Sequence, residues 1–209
     1  MKIEARKQRE RQRKQEDFFS AAEKLFAAKG YDNTSVNDIA REAGYAAGTL
    51  YLYFSNKDEL LVSLLESKLG EFEAAVEEKL ATVEHPVDRF HALIRTQVQG
   101  LVERSKTFVV IFPILIQPKW WEKHDEEGRL RTIVEGKDRF LRSVLEDLQS
   151  SGYIKNVDIE FFLSAVMGMM NEFILCYEAK KYQHQFNPEE MAAKIDAYAS
   201  AILGLPLPE

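Results

Sequence analysis

Residues 34–61 read TSVNDIAREAGYAAGTLYLYFSNKDELL, and this stretch decides the fold. Thr34 and Ser35 are good helix N-caps, because a hydroxyl oxygen can accept an orphan backbone N–H of the first turn. Asp38 stands three residues after Ser35, in the acidic position of a capping box. Val36, Ile39, Ala40 and Ala43 follow at helical spacing. Gly44 then supplies the residue a helix needs to leave its axis through positive φ. A second apolar set, Ala47, Leu50 and Phe54, begins almost at once. So short a gap forces the two helices to cross steeply, as in a helix-turn-helix. Ser55 or Asn56 caps a third helix, which has Asp58 and Glu59 in its first turn, where acids suit the helix dipole.

The polar face of the second helix, read as Ala47–Phe54, carries Gly48, Thr49, Tyr51 and Tyr53. In a helix-turn-helix that element enters the major groove and shows its N-terminal residues to base edges. Hydroxyls there reach phosphates, and the Ala47 and Thr49 methyls suit a thymine methyl. The residues alone leave a second reading open, in which Tyr51 and Tyr53 cover a small core.

Outward from this stretch the chain reads as helices throughout. Residues 1–15, MKIEARKQRERQRKQ, are charged and nearly free of apolar groups. They form either a solvated helix extension or tail, or a basic arm placing Arg9, Arg11, Arg13 and Lys14 on phosphates or in a minor groove. Asp17–Lys29 is a helix with a Phe18, Ala22, Leu25, Phe26 stripe, ended by Gly30. Lys57 to about Thr82 is one long helix, broken by His85-Pro86. Further helices are expected over 87–103, 126–150, 158–182 and 188–203. Phe108–Gln117 is apolar nearly all round and interrupted by Pro113. The reading is all-α, with a helix-turn-helix domain over 1–60 and a helical effector and dimerisation domain over 61–209.

Bulk properties narrow the function. With 209 residues, a net charge of −6 and 45% hydrophobic side chains, the chain has the composition of an ordinary globular protein. Residues 1–60 nevertheless hold 11 basic against 10 acidic side chains, so the candidate DNA-facing end is basic relative to an acidic remainder. One cysteine, Cys176, permits no intrachain disulfide and suits a reducing compartment. No apolar leader opens the chain, and the longest unbroken apolar run, 108–116, falls short of the ~20 residues that cross a bilayer. A cytoplasmic location without membrane attachment is expected. The histidines are scattered, and no phosphate loop, nucleophile elbow or paired-carboxylate pattern occurs. The expectation is therefore no catalytic residue, no metal and no cofactor. Glu122, His124, Asp125 and Glu126 read as a solvated charge run.

Phe18–Leu61 closely resembles the N-terminal domain of the TetR family of bacterial transcriptional repressors. The resemblance is carried by Phe19, Ala21, Ala22, Leu25, Phe26, Gly30, Tyr31, Thr34, Ser35, Val36, Ile39, Ala40, Ala43 and Gly44. It is carried most specifically by Gly48-Thr49-Leu50-Tyr51-x-Tyr53-Phe54-x-x-Lys57-x-x-Leu60. It implies a ligand-responsive repressor that binds a palindromic double-stranded operator as a homodimer. Thr34, Ser35, Tyr53 and Lys57 would hold phosphates. Ala47, Gly48, Thr49 and Tyr51 would face bases, beside Val36. Within the family the chain looks like regulators of fatty-acid metabolism that respond to acyl-CoA. The competing class is a helical small-molecule-binding protein or enzyme with a vestigial helix-turn-helix.

Two features of the remainder fit that picture. Residues 161–177 carry apolar groups on more than one face, and Ala192, Ala193, Ala197, Ala199 and Ala201 give the last helix a small-residue surface. A two-fold four-helix contact through helices 158–182 and 188–203 would cover both; loops in a monomer are the alternative. Phe90, Ile94, Gln97, Phe112, Trp120, Trp121, Phe140, Met167, Met170 and Phe173 form an aromatic and methionine lining for an apolar or amphipathic effector, or else are ordinary core.

Overall fold

The structure is a computed structural model that describes residues 2–105, 108–109, 122–125, 128–180 and 187–207. It is all-α, with no strand among the described residues. The helices are α1 Lys2–Lys29, α2 Val36–Glu42, α3 Ala47–Leu50, α4 Lys57–Ala81, α5 Pro86–Glu103, α6 Arg129–Ser150, α7 Ile159–Lys180 and α8 Pro188–Leu203. Three boundaries depart from the sequence reading. First, α1 starts at Lys2 rather than Asp17, because Lys, Arg, Gln and Glu are strong helix formers and Glu10 pairs with Lys14 one turn on, at 3.1 Å. Second, α3 stops at Leu50 rather than Phe54. Its next turn tightens into i→i+3 bonds, Leu52 N–H to Thr49 O and Tyr53 N–H to Leu50 O. Third, α6 begins at Arg129, whereas the expected start at residue 126 lies outside the described residues.

The chain divides into two compact units. One comprises residues to 68 together with the described residues of 122–130; the other comprises 69–109 and 131 onward. α4 contributes residues 57–68 to the first and 69–81 to the second.

The first unit has its own core. Phe18, Phe19, Ala22, Phe26, Ile39, Leu50, Phe54, Leu60, Leu61 and Leu64 are buried together, with Phe18 packed edge-on to Tyr53 and Phe54. Leu130, fully buried, joins them from far along the sequence. Its neighbours bind in the same unit. Arg129 pairs with Glu66 and donates to Ser63, and His124 meets Asp58 at 2.8 Å. Asp125, also buried, accepts the Leu130 N–H at 3.2 Å. Of the charge run read as solvated, His124 and Asp125 are therefore used in packing, whereas Glu122 is exposed and Glu126 lies outside the described residues. The run's charges were legible, but their partners on α4 are some sixty residues away and were not.

The second unit centres on Phe72, Val76, Leu80, Phe90, Ile94, Val98, Leu141, Leu145, Phe162, Val166, Met170, Ile174, Ile195 and Ala199. Asp196 on α8 is fully buried and held by His91 at 2.7 Å and Arg95 at 3.1 Å from α5. Residues 159–178 of α7 have the length and apolarity of a bilayer span. One stripe of that segment, Phe162, Val166, Met170, Phe173 and Ile174, is spent on the core of this unit. Ala192 and Ala199 are likewise buried against this core and do not belong to a free small-residue face; Ala193 and Ala201 remain exposed.

Candidate nucleic-acid interface

The geometry between α2 and α3 follows from local chemistry. Ser35 and Asp38 form the complete capping box: Ser35 Oγ accepts the Asp38 N–H at 3.1 Å, and the Asp38 carboxylate accepts the Ser35 N–H at 3.2 Å. Hydrogen bonds from Lys29 and then Ser35 hold the Asp38 carboxyl well below the usual carboxylate range. At the other end Gly44, at φ 80°, donates to Arg41 O, and Tyr45 N–H reaches back to Ala40 O at 2.8 Å. These are the paired bonds of a Schellman stop, and they require the left-handed residue there. α2 therefore ends in a fixed direction and α3 begins after only Tyr45 and Ala46.

α4 is capped in the same economical way. Asn56 Oδ1 accepts the Glu59 N–H at 2.8 Å, and the Glu59 carboxylate turns back to Ser55, whose hydroxyl and then backbone N–H keep its carboxyl below the ordinary value.

The residues expected to meet DNA separate into groups. Gly48 is exposed, and Tyr51 (53% exposed) and Leu52 (78%) stand out from the end of α3. Thr49 and Ala47 are half-buried beside them, with Ala47 packed on the core. Tyr51 is thus not a core cover. Tyr53 is half-buried against Phe18, with Arg11 of α1 lying 5.8 Å over its ring. Ser35 is exposed but engaged by Asp38, and Val36 is half-buried.

Two of the expected phosphate ligands are already occupied. Thr34 is 2% exposed and donates its hydroxyl to Gly30 O at 2.7 Å. The Lys57 ammonium donates to Tyr31 O at 2.8 Å and sits 4.1 Å over the Tyr31 ring. Tyr31 in turn gives its hydroxyl to Asp58; burial first, then that carboxylate, pushes its phenol far up from its ordinary value. Thr34 therefore closes the loop between α1 and α2 on itself, and Lys57 fastens that loop to the start of α4.

Gly48 is informative because the protein does not require it. Its φ is not positive, and a Cβ built there meets nothing within 4 Å. Glycine inside a helix costs up to about 1 kcal/mol relative to alanine. A bare backbone at an exposed position that could hold a methyl group is what close approach by a second molecule calls for.

α1 extends the surface. Arg6, Arg9, Arg13 and Lys14 line an open cleft with Tyr45, which donates its hydroxyl to Asp17 at 2.7 Å. Of these, Arg6, Tyr45 and the exposed Leu52 were missed in the sequence. The i, i+3, i+7 spacing of Arg6, Arg9 and Arg13 was there to find Arg6; nothing local marked Leu52.

The expected effector lining is only partly assembled. Phe90, Ile94, Gln97, Met167 and Met170 surround one apolar hollow in the second unit. Phe140 lines an adjoining cleft, whereas Phe173 packs in the core near Tyr177. Phe112, Trp120 and Trp121 lie outside the described residues. Among the described residues no group of three or more His, Cys, Asp or Glu is placed to hold a metal.

Comparison with known proteins agrees with the geometry. Residues 18–64 match the model of bacterial regulatory proteins of the tetR family. The fatty acid metabolism regulator protein of Bacillus subtilis is 27% identical over 155 residues, 74% of this chain and 78% of that one. The TetR family transcriptional regulator PfmR of Thermus thermophilus is 27% identical, with a TM-score of 0.72 over 90% of this chain and 97% of that one. The transcriptional regulator FadR of Bacillus subtilis, solved with stearoyl-CoA, shares the fold at 23% identity, with a TM-score of 0.73 over 90% of this chain and 96% of that one. The helix-turn-helix with its bare, exposed Gly48 thus lies within residues 18–64, the stretch that matches the tetR family model of bacterial regulatory proteins.

Proposed function

We propose that the chain is a repressor that binds a palindromic operator as a homodimer and is released by an amphipathic effector. The observation that carries the DNA reading is the exposed pair Gly48 and Tyr51, with half-buried Thr49 beside them, presented by a helix that follows the fully capped α2 after only two residues. Such a surface suits a major groove, with half-sites ~34–36 Å apart in a two-fold dimer. Ser35, Tyr53 and the α1 arginines are the phosphate ligands of this reading; Thr34 and Lys57 position the loop behind them.

The dimer is supported by the faces left uncovered. Phe161, Ser164 and Gly168 form an exposed stripe on α7, and Tyr198, Ala201 and Ile202 form one on α8. Large apolar groups beside small ones allow two helix pairs to approach closely. The effector is an acyl chain in this reading, because a relative is named for fatty acid metabolism and a fold neighbour holds stearoyl-CoA. The apolar hollow has a free volume of about 20 Å³. That is room for about one water, so an effector must select a more open state of this unit. Release then runs along α4, which is continuous from Lys57 to Ala81.

Electrophoretic mobility shift with operator DNA tests the reading. Tyr51→Ala is expected to weaken binding at least about tenfold, and Thr34→Val only through stability. Equal affinity for wild type and Tyr51→Ala would contradict the assigned surface.

A further inference from the structure

Two hollows in the second unit share a wall. The first is apolar, lined by Phe90, Ile94, Leu145, Val166 and Met170 among others, with Gln97 at its edge. The second is mixed, with Glu73, Glu77, Lys137 and again Gln97 beside Val76 and Phe140, and has a free volume of about 110 Å³. Gln97 is 3% exposed, and among the described residues its side-chain carbonyl oxygen accepts no hydrogen bond; the same holds for one buried carboxyl oxygen of Glu73. Lys137 makes no hydrogen bond or ion pair among the described residues.

Buried polar atoms are normally paired, so two orphaned acceptors and a spare amine around one hollow call for a missing partner. A bare carboxylate would answer only Lys137. It would leave Gln97 and Glu73 without donors and would set a second carboxylate beside Glu73. An amide supplies both kinds of partner: its carbonyl accepts from Lys137, and its N–H donates to Gln97 or Glu73, or to both where the amide is primary and has two N–H groups. Burial pushes the Glu73 carboxyl up and the Lys137 amine down from their ordinary values. Both are moved toward their neutral forms, which further favours an uncharged polar head.

We infer that the effector is an apolar chain with an amide-bearing head, its chain in the Phe90–Met170 hollow and its amide at Gln97, Glu73 and Lys137. This rests on the reading of the second unit as an effector site and names the head group that the site selects. The amide can come from a simple fatty amide or from the pantetheine arm of an acyl thioester.

The test is binding of palmitate, palmitamide and palmitoyl-CoA to the full chain by isothermal titration calorimetry, in wild type, Gln97→Leu and Lys137→Met. Wild type is expected to bind at least one amide-bearing ligand about tenfold or more tighter than palmitate. That preference should shrink to about threefold or less in Gln97→Leu. Preference for palmitamide alone, or for palmitoyl-CoA alone, supports the inference and identifies the source of the amide. Palmitate binding as tightly as both amide ligands overturns it, as does a preference that survives in both variants. If no ligand of any head group binds wild type, the effector reading itself fails. Should Gln97→Leu not fold, loss of the preference in Lys137→Met supports the inference and its persistence there overturns it.

Discussion

The two units treat their polar groups in opposite ways. In the first, the polar groups around the reading helices are spoken for within the protein: Thr34 by Gly30, Ser35 by Asp38, Asn56 by Glu59, Lys57 by Tyr31, Tyr45 by Asp17. In the second, Glu73, Arg89, Thr96 and Gln97 each keep a buried side-chain atom without a hydrogen bond among the described residues. An unmade buried hydrogen bond costs roughly 1–3 kcal/mol. The first unit is therefore finished before it meets DNA and presents a pre-organised surface. The second is left unfinished, and two of these groups, Glu73 and Gln97, border one hollow where a ligand can supply what is missing.

The contrast can be broken most forcefully in the first core. Phe18→Ala removes a fully buried ring that touches Tyr45, Tyr53 and Phe54. It should cost about 3–5 kcal/mol, read by denaturant unfolding, with operator binding lost in parallel. Gly48→Ala should separate stability from function. Stability is expected to hold or rise by up to about 1 kcal/mol, while operator affinity falls about tenfold. A variant that is more stable and binds DNA equally well would mean that nothing approaches Gly48.

In the second unit the sign should reverse. Gln97→Leu deletes an orphaned acceptor and should raise ligand-free stability by about 1 kcal/mol, seen as a higher thermal midpoint. A matched loss would mean that Gln97 is satisfied and the hollow is ordinary core. The smallest effect is pH-dependent. The folded Asp38 carboxyl lies below its ordinary 3.8. Its contribution is therefore present above the unfolded value and lost as pH falls through the folded one. Wild type and Asp38→Asn should differ in unfolding midpoint at neutral pH and converge in acid.

Much of the first unit was legible because its determinants are local. Ser35 to Asp38 and Ala40 to Tyr45 are bonds within a few residues, and their geometry follows from residue type. What escaped was long-range: Leu130 in the first core, His124 on Asp58, Arg129 on Glu66. Thr34 and Lys57 had the right chemistry for phosphates, but their partners Gly30 and Tyr31 sit across a loop whose fold no short pattern states. In the second unit, helices were readable from periodicity. Which stripe of α7 faces its own core and which alanines of α8 are free depended on packing. Gln97 could be suspected as a polar group on an apolar stripe, but its lack of a partner appears only in three dimensions.

The central claim is a two-fold DNA reader, and selection from a random duplex pool by the full chain tests it most directly. The enriched sequences should be palindromes whose half-sites lie about one helical turn, ~34–36 Å, apart, and Gly48→Ala should recover them poorly. Enrichment of a single unrepeated half-site, or of no sequence at all, would contradict it.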